Sequence, residues 1–156
     1  MIAAGADVNT IDPCPEAGTA LHLAAFNMAE NVDTLVAAGA SASAKGAVSG
    51  GEPLHVAAER GQLGAAEARL RHDADINART TPAGQTPLHL AAANVTGSTQ
   101  GLVHHLLKGW ANEALADSDG NKPVDVIGCS MLGGVPNEAA EQEVRELLQD
   151  KKWGNR

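Results

Sequence analysis

The sequence predicts an all-α solenoid, a row of stacked helix-turn-helix units joined by β-hairpin-like loops, and three observations predict it. The phrase Thr19-Ala20-Leu21-His22-Leu23-Ala24-Ala25 returns as Glu52-Pro53-Leu54-His55-Val56-Ala57-Ala58 and again as Thr86-Pro87-Leu88-His89-Leu90-Ala91-Ala92, with the histidines 33 and 34 residues apart. Self-similarity at a fixed period of this size marks a stack of like units. A second phrase keeps step with the first: Gly5-Ala6-Asp7-Val8-Asn9, Gly39-Ala40-Ser41, Asp73-Ala74-Asp75-Ile76-Asn77 and Trp110-Ala111-Asn112 begin at intervals of 34, 34 and 37 residues. Aromatic residues make up only 2% and tyrosine is absent, so alanine and leucine must form the seams. A chain of 156 residues suffices, because each unit buries its apolar face on its neighbours and needs no central core.

Together the two phrases resemble the ankyrin-repeat family, whose unit reads roughly G-x-T-P-L-H-x-A-A, then a helix with paired aliphatics, then G-A-D-V-N. The resemblance runs from residue 1 to about residue 150. It implies a single ankyrin-repeat domain over 1–156: a partial N-terminal repeat at 1–18, full repeats at 19–51, 52–85 and 86–121, and a C-terminal capping repeat at 122–156.

The residues account for the elements in turn. Thr19 and Thr86 precede helical runs whose free amides they can cap, and Pro53 and Pro87 sit where a fixed φ and a missing donor cost nothing. Each repeat therefore opens with a short helix. Leu21, Leu23 and Ala24 fall on neighbouring helical positions, as do Leu54, Ala57 and Ala58, and the alanine pairs allow close helix approach. A second helix follows at 32–38, 63–71 and 102–108, where Leu102, Val103, Leu106 and Leu107 keep a helical spacing. A glycine then ends the helix in the left-handed region, before a polar hairpin. Trp110 and Asp73 stand where the family places that glycine, so those ends are expected to terminate differently. Ala65, Ala66 and Ala68, with Gly64 beside them, replace bulky aliphatics and mark this repeat as the soft middle of the stack. The loop around residues 95–99 carries about three extra residues relative to the family spacing.

The two ends read differently. Met1 to Asn9 looks like the tail of a second helix and its hairpin, as in a fragment of a longer array or an incomplete gene; a genuine short N-terminus with Met1 and Ile2 covering the seam is the other reading. At the far end Pro123-Val124-Asp125 occupies the T-P-L-H position with Asp125 in place of histidine. A helix over 137–152 follows, capped by Asn137, with Ala140, Val144, Leu147 and Leu148 on one stripe and Glu141, Glu143, Glu146 and Gln149 opposite. A polar outer face on a terminal unit is what a cap requires.

The search for catalytic chemistry points away from an enzyme. His22, His55 and His89 recur once per repeat, roughly 10 Å apart by helix-packing distances, too far to share a metal. The family resemblance implies a structural role for them, bridging Thr19, Thr86 and backbone groups between repeats. His72, His104 and His105 read as solvated or partly buried side chains of second helices. Asp117-Ser118-Asp119-Gly120-Asn121 opens like a calcium loop but lacks its later ligands, with Gly128 where the closing glutamate belongs, so it reads as a turn. Asn94-Val95-Thr96 matches a glycosylation acceptor only by chance. No phosphate-cradling loop, nucleophile elbow or metal-spaced cysteine pair occurs, which leaves no cofactor and no metal. Cys14 and Cys129 make no disulfide framework and suit a reducing, intracellular and cytoplasmic setting; no run reaches membrane-spanning length.

A net charge of −8 opposes both nucleic acid and anionic membrane surfaces. What remains is a protein partner, basic where it meets Asp117 and Asp119, unless the acidity serves solubility alone. The expected function is thus a monomeric scaffold that binds a protein partner. The resemblance places that partner in the concave groove, at Phe26, Asn27, Glu59, Arg60, Ala93 and Asn94 after the alanine pairs, and at Lys45, Val48, Arg79, Thr80, Thr81, Ser118 and Asp119 on the hairpin tips. Phe26 has a competing reading as a core residue. The alternative function is a regulatory or substrate-recruiting segment of a larger enzyme or signalling protein.

Overall fold

Glu52 and Thr86 hold extended backbone (φ −87 and −91), and proline follows each at the first helical turn, where its ring suits the helix and its missing N–H would have had no partner. From these starts run α3 (Pro53–Glu59) and α5 (Pro87–Ala93), matched earlier in the chain by α1 (Ala20–Asn27). The partner helices are α2 (Ala29–Ala37), α4 (Leu63–Arg71) and α6 (Thr99–Lys108); a 3₁₀ turn at Pro123–Val126 and α7 (Glu138–Gln149) complete the order. The computed structural model describes residues 7–12, 18–27, 29–46, 50–95, 99–129 and 137–150, and of residues 27, 29 and 30 the backbone only.

The first helices α1, α3, α5 and the 3₁₀ turn stack in one layer, and α2, α4, α6 and α7 stack behind them in a second. The seam is built from small residues, as the alanine pairs require: Ala25, Ala57, Ala58, Ala91 and Ala92 are wholly buried beside Leu21, Leu54 and Leu88. Apolar packing forms two clusters. The larger runs from Ala25 through α3 to α6 and on to Ala140, Val144 and Leu148 of α7; the smaller joins Leu21, Ala24, Val32 and Ala40 with Ala68. Among the described residues the loops form no strands, only an isolated antiparallel bridge between Asp12 and Gly18.

The helix ends correct the sequence reading. Gly39 ends α2 with φ +91, but Asp73 and Trp110 adopt the same left-handed conformation, at φ +57 and +76, without being glycine. In each case the next amide reaches back to a residue of the last turn: Ala40 to the Leu35 carbonyl at 2.9 Å, Ala74 to Arg69 at 3.3 Å, Ala111 to Leu106 at 3.0 Å. The termination geometry is therefore one and the same. The extra residues near 95–99 are also partly absorbed, since α6 begins at Thr99, which is fully buried with its hydroxyl donating to the Asn94 carbonyl at 2.6 Å.

Ala65, Ala66 and Ala68 are closed off from solvent, and so is the long side chain of Arg69 beside them, at 0% exposure. Leu23, read as a seam residue, is instead 52% exposed. At the far end Asn137 caps α7 as the sequence indicates, accepting the Ala140 N–H at 3.2 Å, with Ala140, Val144 and Leu148 buried; residues 151–152 of the predicted helix lie outside the described residues.

Candidate partner-binding surface

One arrangement recurs at every first helix and fixes the surface above it. The Thr19 N–H and hydroxyl lie 3.1 and 2.9 Å from His22 Nδ1, those of Thr86 lie 3.1 and 2.8 Å from His89 Nδ1, and the Glu52 N–H lies 3.0 Å from His55 Nδ1. A ring nitrogen that accepts from a backbone amide carries no proton, so each imidazole holds its hydrogen on Nε2. That hydrogen goes to the next loop: His22 to the Gly51 carbonyl at 3.1 Å, His55 to Ala78 at 3.0 Å and Gln85 at 3.2 Å, His89 to Asn121 at 3.0 Å. Each histidine thus ties its own cap to the loop that leads into the following unit. Burial pushes all three pKa values down, and the carbonyl contacts oppose this without reversing it. In the 3₁₀ turn Asp125 takes over the inner half of the role, its Oδ2 accepting the Lys122 N–H at 2.9 Å. A carboxylate has no proton to pass onward.

The loops are tied together in register. Asn9 Oδ1 accepts the Ser41 N–H at 2.7 Å and Asn77 Oδ1 accepts the Asn112 N–H at 2.8 Å. Lys45 Nζ reaches the Arg79 carbonyl at 3.1 Å, Arg79 Nη2 the Ala116 carbonyl at 2.6 Å, and the Ser118 hydroxyl the Pro82 carbonyl at 2.8 Å.

Several residues expected to meet a partner are therefore engaged within the stack. Thr80 is buried, its hydroxyl accepting the Gln85 N–H at 3.0 Å. Asn94 is buried and donates to the Glu59 carbonyl. Arg79, Lys45 and Ser118 are exposed but bonded as above. Asp117 is also buried, contrary to a role in meeting a basic partner: its Oδ1 accepts the Asp119 and Asn121 amides at 3.0 and 2.9 Å, locking the turn. Burial pushes its carboxyl up and these hydrogen bonds more than offset that, leaving the pKa lowered. Val48 and the side chain of Asn27 lie outside the described residues.

What stays open to solvent lies at the C-terminal ends of the first helices. The Arg60 guanidinium sits 4.3 Å above the centre of the Phe26 ring, a cation–π contact from the end of α3 to the end of α1. Phe26 is 36% exposed, so it is a surface residue and not a core one, and Leu23 lies one helical turn before it. Glu59 and Ala93 are half-buried along the same row, while Thr81 and Asp119 are exposed on the tips. The sequence reading singled out Phe26 and Arg60 but missed Leu23; the i, i+3 spacing of two large apolar residues was the available signal.

The outer layer carries its own polar pairs. Asp33 meets His72 Nε2 at 2.7 Å and Arg71 at 3.6 Å, and Glu67 meets His105 Nδ1 at 3.4 Å beside a cleft of about 350 Å³. The His72 hydrogen bond holds the Asp33 carboxyl below its ordinary value. No group of three metal-ligating side chains converges among the described residues, and no described helix is long and apolar enough to cross a membrane.

Comparison with known proteins agrees with this geometry. The family described as ankyrin repeats (3 copies) matches residues 1–80 and 21–114. The chain belongs to the ankyrin-repeat family. It is similar to human Rabankyrin-5, 34% identical over 112 residues, a match covering 67% of this chain and 9% of that protein. Ankyrin repeats are in general protein-interaction modules and typically non-catalytic.

Proposed function

We propose that this ankyrin-repeat chain is a non-catalytic scaffold that holds a protein partner across the exposed ends of its first helices. The observation that carries this reading is the Phe26–Arg60 pair, an aromatic side chain and a guanidinium stacked at 4.3 Å and both open to solvent. These residue types dominate interface energies, because a rigid ring buries area at little entropic cost and arginine brings both charge and a flat face. Leu23 extends the apolar part of the patch. Lys45, Arg79 and Ser118 stabilise the loops beside it, so they frame the surface and are poor candidates for anchors. A second reading, a recruiting segment of a larger enzyme or signalling protein, draws on one fact: Rabankyrin-5 devotes only 9% of its length to the matched region.

Matched charge reversals test the scaffold reading. Arg60→Glu alters the patch, and Lys108→Glu makes the same charge change at an exposed site on α6. Partner capture falls with Arg60→Glu and persists with Lys108→Glu, while both variants keep the parent unfolding midpoint within about 0.5 kcal/mol. Loss with Lys108→Glu alone would place the partner on the other layer.

A further inference from the structure

We propose that the stack has a built-in opening seam between the α1–α2 pair and the α3–α4 pair, and that Arg69 sets its weakness. Arg69 stands where Leu35 and Leu106 stand in the helices before and after, as the matching helix-end hydrogen bonds show. Leu106 fills that place with a fully buried aliphatic side chain; Arg69 is equally buried, and its Nε, Nη1 and Nη2 all lack a hydrogen-bond partner. A guanidinium without partners in the interior forfeits hydration with little in return. Glu52, in the place Thr19 and Thr86 occupy in their units, adds a second buried charge that is only partly satisfied: it is 6% exposed, its Oε2 has no partner, and its Oε1 lies 3.6 Å from Lys45. Burial lowers the Arg69 pKa to about 10, outweighing the attraction of Glu52, which forms no salt bridge to it.

Two further observations fall on the same seam. The apolar core divides there into its two clusters, and each reaches across it with alanine: Ala25 of α1 in the larger cluster, Ala68 of α4 in the smaller. The asparagine bridge between successive loops is also interrupted there. Asn9 and Asn77 bond forward to the next loop, whereas Ser43, at the equivalent place, contacts Ser41 within its own turn at 3.3 Å. The seam is closed by the packing of α1 on α3 and of α2 on α4, by His22, and by polar contacts at its rim, Asp33 with His72 and Arg71, Lys45 with Glu52 and the Arg79 carbonyl, and Arg60 over Phe26. Opening hydrates Arg69 and Glu52, which offsets part of the cost of parting α1 from α3 and α2 from α4.

The functional meaning rests on the partner-surface reading above, because Phe26 and Arg60 lie on opposite sides of this seam. A partner that contacts both selects the closed stack, so binding and closure are linked.

Hydrogen exchange of the full chain without any partner tests the seam. In the parent protein, amides of α1 and α2 exchange at least about tenfold faster than those of α5 and α6, as a sub-global opening requires. Arg69→Leu, and Arg69→Met should the branched side chain fit poorly, narrow that ratio by about tenfold by slowing α1 and α2. An unchanged ratio in both variants would assign the exchange to fraying from the chain end, and faster exchange in both would show that Arg69 holds the seam shut; either result overturns the proposal. Because no partner is present, failure here leaves the partner surface standing, and failure of partner capture leaves the seam standing.

Discussion

Replacing His55 with alanine strikes the inter-unit tie in the middle of the stack, and its cost follows from three hydrogen bonds. The Glu52 N–H loses its acceptor at 3.0 Å, and the Ala78 and Gln85 carbonyls lose the Nε2 hydrogen they share at 3.0 and 3.2 Å. An orphaned buried amide costs about 1–3 kcal/mol and a lost intramolecular bond about 1 kcal/mol. The imidazole is 2% exposed, so its removal also leaves a space that neighbouring helices fill only in part, adding about 1 kcal/mol. The total is about 3–5 kcal/mol, a large share of the roughly 5–15 kcal/mol typical of a folded domain. Urea unfolding followed by far-ultraviolet circular dichroism measures it as a lower midpoint at unchanged slope. Exchange at residues 78–85 should accelerate with it, because that loop is what His55 holds. A midpoint within about 0.5 kcal/mol of the parent would show that the His55 hydrogen bonds do not hold the stack together, since a surface change has that size.

Two more outcomes follow from the same contacts. Burial lowers the pKa values of His22, His55 and His89 below 6.5, so between those lowered values and 6.5 the unfolded chain binds protons that the folded chain does not; stability is full above pH 6.5 and falls as pH drops through that window, with a slope of at most about 4 kcal/mol per pH unit for three sites. Glu52, raised by burial, acts in the opposite sense and returns some stability in more acid solution; a midpoint that stays flat between about pH 7 and pH 5 would contradict neutral buried imidazoles. Ser43→Asn supplies the missing loop bridge across the seam and should raise the unfolding free energy by about 0.5–1.5 kcal/mol; no gain in thermal midpoint would show that the two loops are out of register there.

Local signals carried most of the fold. The Thr-x-x-His and Pro-Leu-His phrases are self-contained helix starts, so α3 and α5 begin where the sequence indicates, and α4 spans Leu63–Arg71 as expected. Asn137 and the stripe Ala140, Val144 and Leu148 were likewise readable, because cap and stripe lie within a few residues of each other. The helix ends at Asp73 and Trp110 were not, since a non-glycine residue at positive φ is imposed by the repeat geometry and not by its own preference. Arg69 was hidden for a different reason: an arginine on a second helix reads as a solvated side chain, and only the packed neighbours reveal that it takes a leucine's place. The candidate surface was half legible. Phe26 and Arg60 stand out by residue type, but whether Thr80, Arg79 and Asn94 face a partner depends on hydrogen bonds to loops and helix ends far along or across the stack, such as Arg79 to Ala116 and Asn94 to Glu59.

The most direct test of the central claim, that a protein partner seats on the exposed ends of the first helices, is site-specific photo-crosslinking. A benzophenone amino acid at Phe26, in the patch, is compared with the same group at Thr34, exposed on α2 in the other layer. One discrete protein adduct is expected from position 26, abolished by Arg60→Glu, and none from position 34. An adduct from position 34 that survives Arg60→Glu, with none from position 26, would contradict it.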